Sequence, residues 1–210
     1  MFFRLNKNER SCYYFCMNAA AVSSKGDRTR DRILDAAATV ASVGGVSAVT
    51  IGPLAESLGM SKSGLFAHFR SKEALQVEIL DRSAEHFTRA VIVPVRAEPD
   101  KSKRLGIFFK LWLDWIENPG LGGGCPILAA GVEYDDVPGP VRDASARHSG
   151  ALNDSIRRMV RNARPGCDVE AVAALIDGLA LSHLVRVRLL RDPNARAETE
   201  RAFTLLIENS

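Results

Sequence analysis

Aromatic residues make up only 7% of this 210-residue chain, and cysteine occurs four times. Cys12, Cys16, Cys125 and Cys167 are too few and too scattered for a disulfide framework. Cys12 and Cys16 share a C-x3-C spacing, but no second ligand pair accompanies them, and His68, His86, His148 and His183 stand far apart. No metal site and no cofactor are expected. Reduced thiols suit a cytoplasmic protein. No run of about 18 uncharged apolar residues is present, so no bilayer-spanning helix and no membrane partner are expected. Gly122, Gly123 and Gly124 precede no G-K-[ST], so they are not a phosphate loop, and no G-x-S-x-G elbow occurs. Ser63 and His68 are at helix spacing without an orienting acid. No catalytic residue is assigned, and the chain is not expected to be an enzyme. There is no internal repeat and no convincing strand.

What is present is an ordinary soluble composition, 46% hydrophobic and 25% charged, with a net charge of +3. The length is ample for a buried core. A charge of +3 permits an anionic partner without demanding one. Residues 1–26 lack helical periodicity and end in Ser23-Ser24-Lys25-Gly26. Arg4, Lys7 and Arg10 before an apolar 12–22 stretch give a faint secretion-signal shape, which Glu9 and Asn18 interrupt. These residues are read as a disordered N-terminal extension.

From Thr29 a helical stripe begins, with Ile33, Leu34, Ala37, Ala38, Val40 and Ala41, and Gly44-Gly45 stops it. Thr50 is placed to cap a second helix through its hydroxyl, with Pro53 in the first turn and Gly59 at the end. Ser61 caps a third helix through about Phe69. Ser71 caps a fourth, with Glu73 in its first turn, where the helix dipole favours an acid. That helix carries Leu75, Ile79, Ala84 and Phe87 and stops before Pro94. Segments 103–117, 126–132, 140–164, 169–190 and 196–208 follow as helices, with a flexible glycine loop at 122–124. Segment 169–190 is apolar on more than one face, as a helix buried on several sides would be. The fold class is all-α.

The segment Ile51–Arg70, IGPLAESLGMSKSGLFAHFR, has the requirements of a helix-turn-helix. Ala55 is small where two helices cross, Gly59 tolerates positive φ in the turn, and Leu54, Leu58, Met60 and Leu65 are apolar on the inside. Lys62, Ser63, Gly64, Ala67 and His68 give the following helix an outer face that is small or polar. Such a face fits a groove, with the N-terminal residues of the helix leading into the major groove. The plainer reading is an αα-hairpin within a helical core.

Residues 50–75 resemble the tetracycline-repressor (TetR) family of bacterial regulators, and the likeness covers about residues 28–80. The resemblance implies a three-helix DNA-binding domain, residues 27–72, joined by a long helix to a helical ligand-binding and dimerisation domain, residues 73–210. It implies a homodimer that binds a pseudo-palindromic operator in double-stranded DNA. By position, Lys62, Ser63, Gly64 and Ala67 would read bases, and Thr50, His68 and Lys72 would touch phosphates. Phe66 departs from the family, which usually has Tyr there; the ring remains but the donor hydroxyl is gone.

Each of these residues also has a plainer role. Lys72 can be a solvated charge at a helix start, and His68 a ring closing the small core. Arg28, Arg30 and Arg32 are either a solvated helix face, interleaved with Asp27, Asp31 and Asp35, or a minor-groove arm. A pocket for a small apolar inducer is expected around Phe108, Trp112, Ile127, Leu152, Ile156 and His183, with His148, His183 or Asp177 as polar anchors. The same aromatic stripe is what a plain core looks like. The function expected is a homodimeric DNA-binding transcriptional regulator, a repressor released by that inducer. The alternative is a helical metabolite-binding protein or enzyme in which the helix-turn-helix is only packing.

Overall fold

A computed structural model describes residues 25–209, so the expected N-terminal extension lies outside the described residues, except its last two positions. Those two are helical. The first helix, α1, is Lys25–Gly44, with Asp27 in its first turn, and so starts earlier than its apolar stripe. The chain divides into two compact units between Arg32 and Ile33, and all the later helices lie in the second. In that second unit, α2 is Ile51–Ser57, α3 Lys62–Phe66 and α4 Lys72–Phe87. A π-helical turn, Thr88–Ile92, leads from α4 into α5, Val93–Ala97. Then come α6 (Arg104–Glu117), α7 (Pro126–Glu133), α8 (Pro140–Ala163), α9 (Val169–Leu184) and α10 (Ala195–Glu208). No strand occurs among the described residues. The protein is all-α.

Two apolar clusters fill this unit. The first gathers Ile33, Ala37 and Ala41 of α1, Leu54 and Ala55 of α2, Leu65 of α3, and Leu75, Ile79 and Leu80 of α4, with Ala130 and Ala144 of α7 and α8. The second gathers Val91 and Val95, most of the α6 face, Ile156 and Val160 of α8, and Val172, Ile176 and Ala180 of α9. The rod from Lys72 to Ala97 therefore contributes to both clusters.

That rod does not stop at Pro94. Proline lacks an N–H and its ring crowds the carbonyl four residues back. The widened turn just before it relieves the crowding, and the N–H of Val93 donates to the Thr88 carbonyl. Buried Val91 and Val95 hold the two sides of the bend in the core.

Two further expectations are corrected. The glycine loop is docked rather than free. Gly124 N donates to Ser42 O at 2.7 Å, the Ser42 hydroxyl donates to Leu121 O at 2.6 Å, and a Cβ on Gly123 would lie 2.0 Å from Ser42 O. Glycine is used here for close approach. The second correction concerns segment 169–190: α9 ends at Leu184, a π-helical turn, Val185–Leu189, follows, and α9 buries one face while Leu175 and Leu181 point outward, with exposed Val185, Leu189 and Leu190 after them.

Candidate nucleic-acid interface

The α2–α3 unit is set by a few contacts. Leu54, Ala55 and Leu65 are buried against each other and against α1 and α4. Gly59 turns the chain with φ +65°, and Met60 N donates to Ala55 O at 2.9 Å to close the turn. Ser61 then starts α3. Its hydroxyl accepts from Gly64 N at 3.0 Å and lies 3.1 Å from the Ser63 hydroxyl. With one face buried through Leu65, α3 leaves Lys62, Ser63, Phe66 and Ala67 exposed, and Gly64 half-buried. The Phe66 ring is 50% exposed, far more than an aromatic held only for packing.

Thr50 takes the extended backbone that precedes a helix, and its carbonyl accepts from Leu54 N at 3.2 Å, but its hydroxyl accepts no capping bond. The sequence explains this: the third helical residue is Pro53, which has no N–H to give. The Thr50 side chain is exposed. Lys62 lies against the first turn of α2, where its Cε would be 3.3 Å from a Cβ at Gly52. Lys72 donates to Ser47 O at 3.2 Å, in the turn that leads into α2. His68 is half-buried, its ring centroid 6.5 Å from that of buried Phe69.

The turn 45–49 under Lys72 is held from behind. Glu133 of α7 accepts from Ser47 N at 2.9 Å and lies so close to Gly45, φ +85°, that a Cβ there would be 1.7 Å from its carboxylate. Buried Gln76 donates to Val46 O at 3.0 Å and to the Tyr134 hydroxyl at 3.1 Å. None of Gly52, Gln76, Glu133 and Tyr134 was legible as part of this arrangement. The one available signal was Gln76, a polar residue on the inward face of a strongly periodic helix, which demands buried partners.

The residues expected around a ligand separate. Phe108, Trp112, Leu152 and Ile156 share the second cluster, the Phe108 and Trp112 rings 5.3 Å apart. Ile127 packs in the first cluster instead, where α7 is tied to α8 by the Ser145 hydroxyl donating to Ile127 O at 3.0 Å. His183 is fully buried with both ring nitrogens engaged, Nε2 2.9 Å from Glu117 Oε1 and Nδ1 3.2 Å from the Thr199 hydroxyl. Arg196 joins Glu117 and Asp114 at 3.3 and 2.7 Å, so this group ties α6, α9 and α10 together. An acid in the last turn of α6 opposes the helix dipole, and its partners explain its presence. His148 is likewise taken, 2.7 Å from Asp81 of α4. Asp177 is half-buried, and burial pushes its carboxyl above the ordinary value against the charge of Arg157.

Among the described residues no helix is long and apolar enough to cross a membrane, and no group of His, Cys, Asp or Glu is arranged to hold a metal ion.

Two family models match the chain. The one described as bacterial regulatory proteins, tetR family, matches residues 33–79, and the one described as tetracyclin repressor-like, C-terminal domain, matches residues 102–203. The HTH-type transcriptional activator FasR of Mycolicibacterium smegmatis is 30% identical over 132 residues, 63% of this chain and 60% of that protein. The match therefore spans less than two thirds of that relative. A TetR transcriptional regulator from Chloroflexus aurantiacus has a similar structure, with a TM-score of 0.76 and 27% identity over 88% of this chain and 94% of that one. AibR, crystallised with isovaleryl coenzyme A and operator DNA, shares the fold with a TM-score of 0.68 and 17% identity over 85% of this chain and 97% of that one.

Proposed function

We propose, since this chain belongs to the tetR family of bacterial regulatory proteins, that it is a cytoplasmic homodimeric regulator of transcription that binds a pseudo-palindromic operator and releases it when a small apolar effector binds. The observation that carries this reading is the exposed face of α3, with Lys62, Ser63, Phe66 and Ala67 outward and Leu65 buried beneath them. Base contacts fall to Lys62, Ser63, Gly64 and Ala67, and phosphate contacts to Thr50, His68 and Lys72. Phe66 offers apolar contact only. Lys72 has three N–H donors and Ser47 O takes one, so it can hold the turn and a phosphate together. Residues 27–72 form the DNA-reading part and residues 73–210 the part for effector and dimer.

An apolar effector suits the second cluster, and AibR supports an acyl compound by analogy of fold alone. The partner subunit suits the outward Leu175 and Leu181 of α9 and Val185 just after it, together with exposed Leu205 of α10. Repression is the primary reading. Activation is the second, favoured by the activator role of FasR. Footprinting of the chain's own upstream DNA, followed by transcription in vitro from that template, tests both. Protection with lowered transcript supports a repressor, protection with raised transcript an activator, and no protection removes the reading.

A further inference from the structure

The second apolar cluster holds one polar atom without a partner. Trp115 is only 6% exposed, and its indole N–H makes no hydrogen bond among the described residues. A buried donor in this state costs free energy until an acceptor reaches it. The ring stands edge-on to Phe87, centroids 5.5 Å apart, so packing rather than the nitrogen sets its position. The Cys125 sulfur is near enough to feel the indole dipole, but the contact falls outside hydrogen-bond geometry, and a thiol is a weak acceptor. The same sulfur faces the backbone N–H groups of Leu128 and Ile127 at the start of α7. Three N–H groups therefore turn towards one thiol.

Three N–H donors in an apolar surround, with Phe87 against the indole, suit an acceptor oxygen carried on an apolar body. Of the polar anchors expected from sequence, His148, His183 and Asp177, the two histidines are already engaged by the protein.

We propose that the indole N–H of Trp115 is the polar anchor of the effector site, donating to the carbonyl oxygen of an otherwise apolar ester, thioester or ketone seated between Phe87 and the start of α7. This rests on reading the chain as an effector-responsive regulator. Phe87 is the last residue of α4, and the π-helical turn follows it, so a molecule seated there bears on the rod that carries Lys72 at its other end.

The test uses the full-length protein with methyl octanoate, octanoate and nonane as probes. In the 15N-labelled protein Trp112 and Trp115 give separate indole N–H signals, assigned through Trp112→Phe. Methyl octanoate is expected to move the Trp115 indole proton downfield and to bind about tenfold more tightly to the unsubstituted protein than to Trp115→Phe, the factor one hydrogen bond supplies. Nonane is expected to bind both alike. The signal shift is read on the unsubstituted protein and does not depend on the variant folding. An unmoved Trp115 signal with bound ester, equal ester affinity in Trp115→Phe, tighter binding of octanoate, or no ester binding up to its solubility would each overturn the proposal. Operator affinity measured in the same samples separates this from the regulator reading. Ester that releases DNA without moving the Trp115 signal removes the anchor alone. A shifted signal in a protein that binds no DNA removes the regulator alone.

Discussion

Ser61 and Ser71 accept hydrogen bonds from the Gly64 and Ala74 nitrogens at 3.0 Å, whereas the Thr50 hydroxyl accepts none. Ser61→Ala and Ser71→Ala are each expected to cost about 1 kcal/mol of stability, and Thr50→Ala under about 0.5 kcal/mol, in urea denaturation. Thr50→Ala should still weaken operator binding. An equal loss of stability in all three would mean that the Thr50 hydroxyl does cap α2. Lys72→Ala should weaken binding to every sequence and flatten the salt dependence by about one unit per subunit. An unchanged slope would leave Lys72 with only its bond to Ser47. Gly64→Ala is a poor probe of base reading, because the added Cβ would lie 3.1 Å from the Ser61 oxygen and disturb the cap. Ser63→Ala leaves the cap in place and should alter sequence preference more than salt slope. The caps at Ser61 and Ser71 were legible because both partners lie within four residues. At Thr50 a hydroxyl cap is expected from sequence and the structure has none, because Pro53 removes the N–H that the cap would take.

Among the elements, α4 with its π-helical turn and α5 enters both apolar clusters, as α8 does. It is tied sideways to α8 by Asp81, which meets His148 at 2.7 Å and Arg147 at 2.9 Å. Burial pushes the Asp81 carboxyl up, but the hydrogen bond and charge of His148 and the charge of Arg147 outweigh it and hold the group below its ordinary 3.8. A depressed folded value means the stabilisation is present above the unfolded value and is lost as pH falls through the folded one. Asp81→Asn is therefore expected to cost about 0.5 kcal/mol near pH 7, a figure kept small by the exposure of the pair, and progressively less as pH falls from 3.8 through the lower folded value. A deficit that persists in acid would place the effect in packing instead. The helices themselves were readable from periodicity and punctuation. Their continuation past Pro94 was not, because it depends on Val91 and Val95 finding the second cluster. The reason for Gly45 was equally hidden, since Glu133 comes from a distant helix.

For the whole molecule, the surplus apolar surface of α9 was visible in the sequence, but its direction was not. Periodicity shows how many faces are apolar and not which of them another subunit covers. With Leu181 outward and 52% exposed, Leu181→Glu is expected to give monomers in light scattering at micromolar concentration and to abolish tight operator binding while the subunit stays folded. A dimer that survives would locate the interface elsewhere. The helix-turn-helix was the most legible part of the site, because its turn, cap and inner residues are local. The effector site was the least legible, since it depends on which buried polar atoms the fold leaves unpaired. On the proposed function, this chain reads DNA as a two-fold dimer through α3 and the start of α2. Footprinting on its upstream DNA at physiological salt, with the unsubstituted protein and Lys72→Ala side by side, tests that most directly. Two protected half-sites of a pseudo-palindrome, centred about 34–36 Å apart, are expected, with uniformly weaker protection by Lys72→Ala. Protection with no two-fold pattern, or none above non-specific binding, would contradict it.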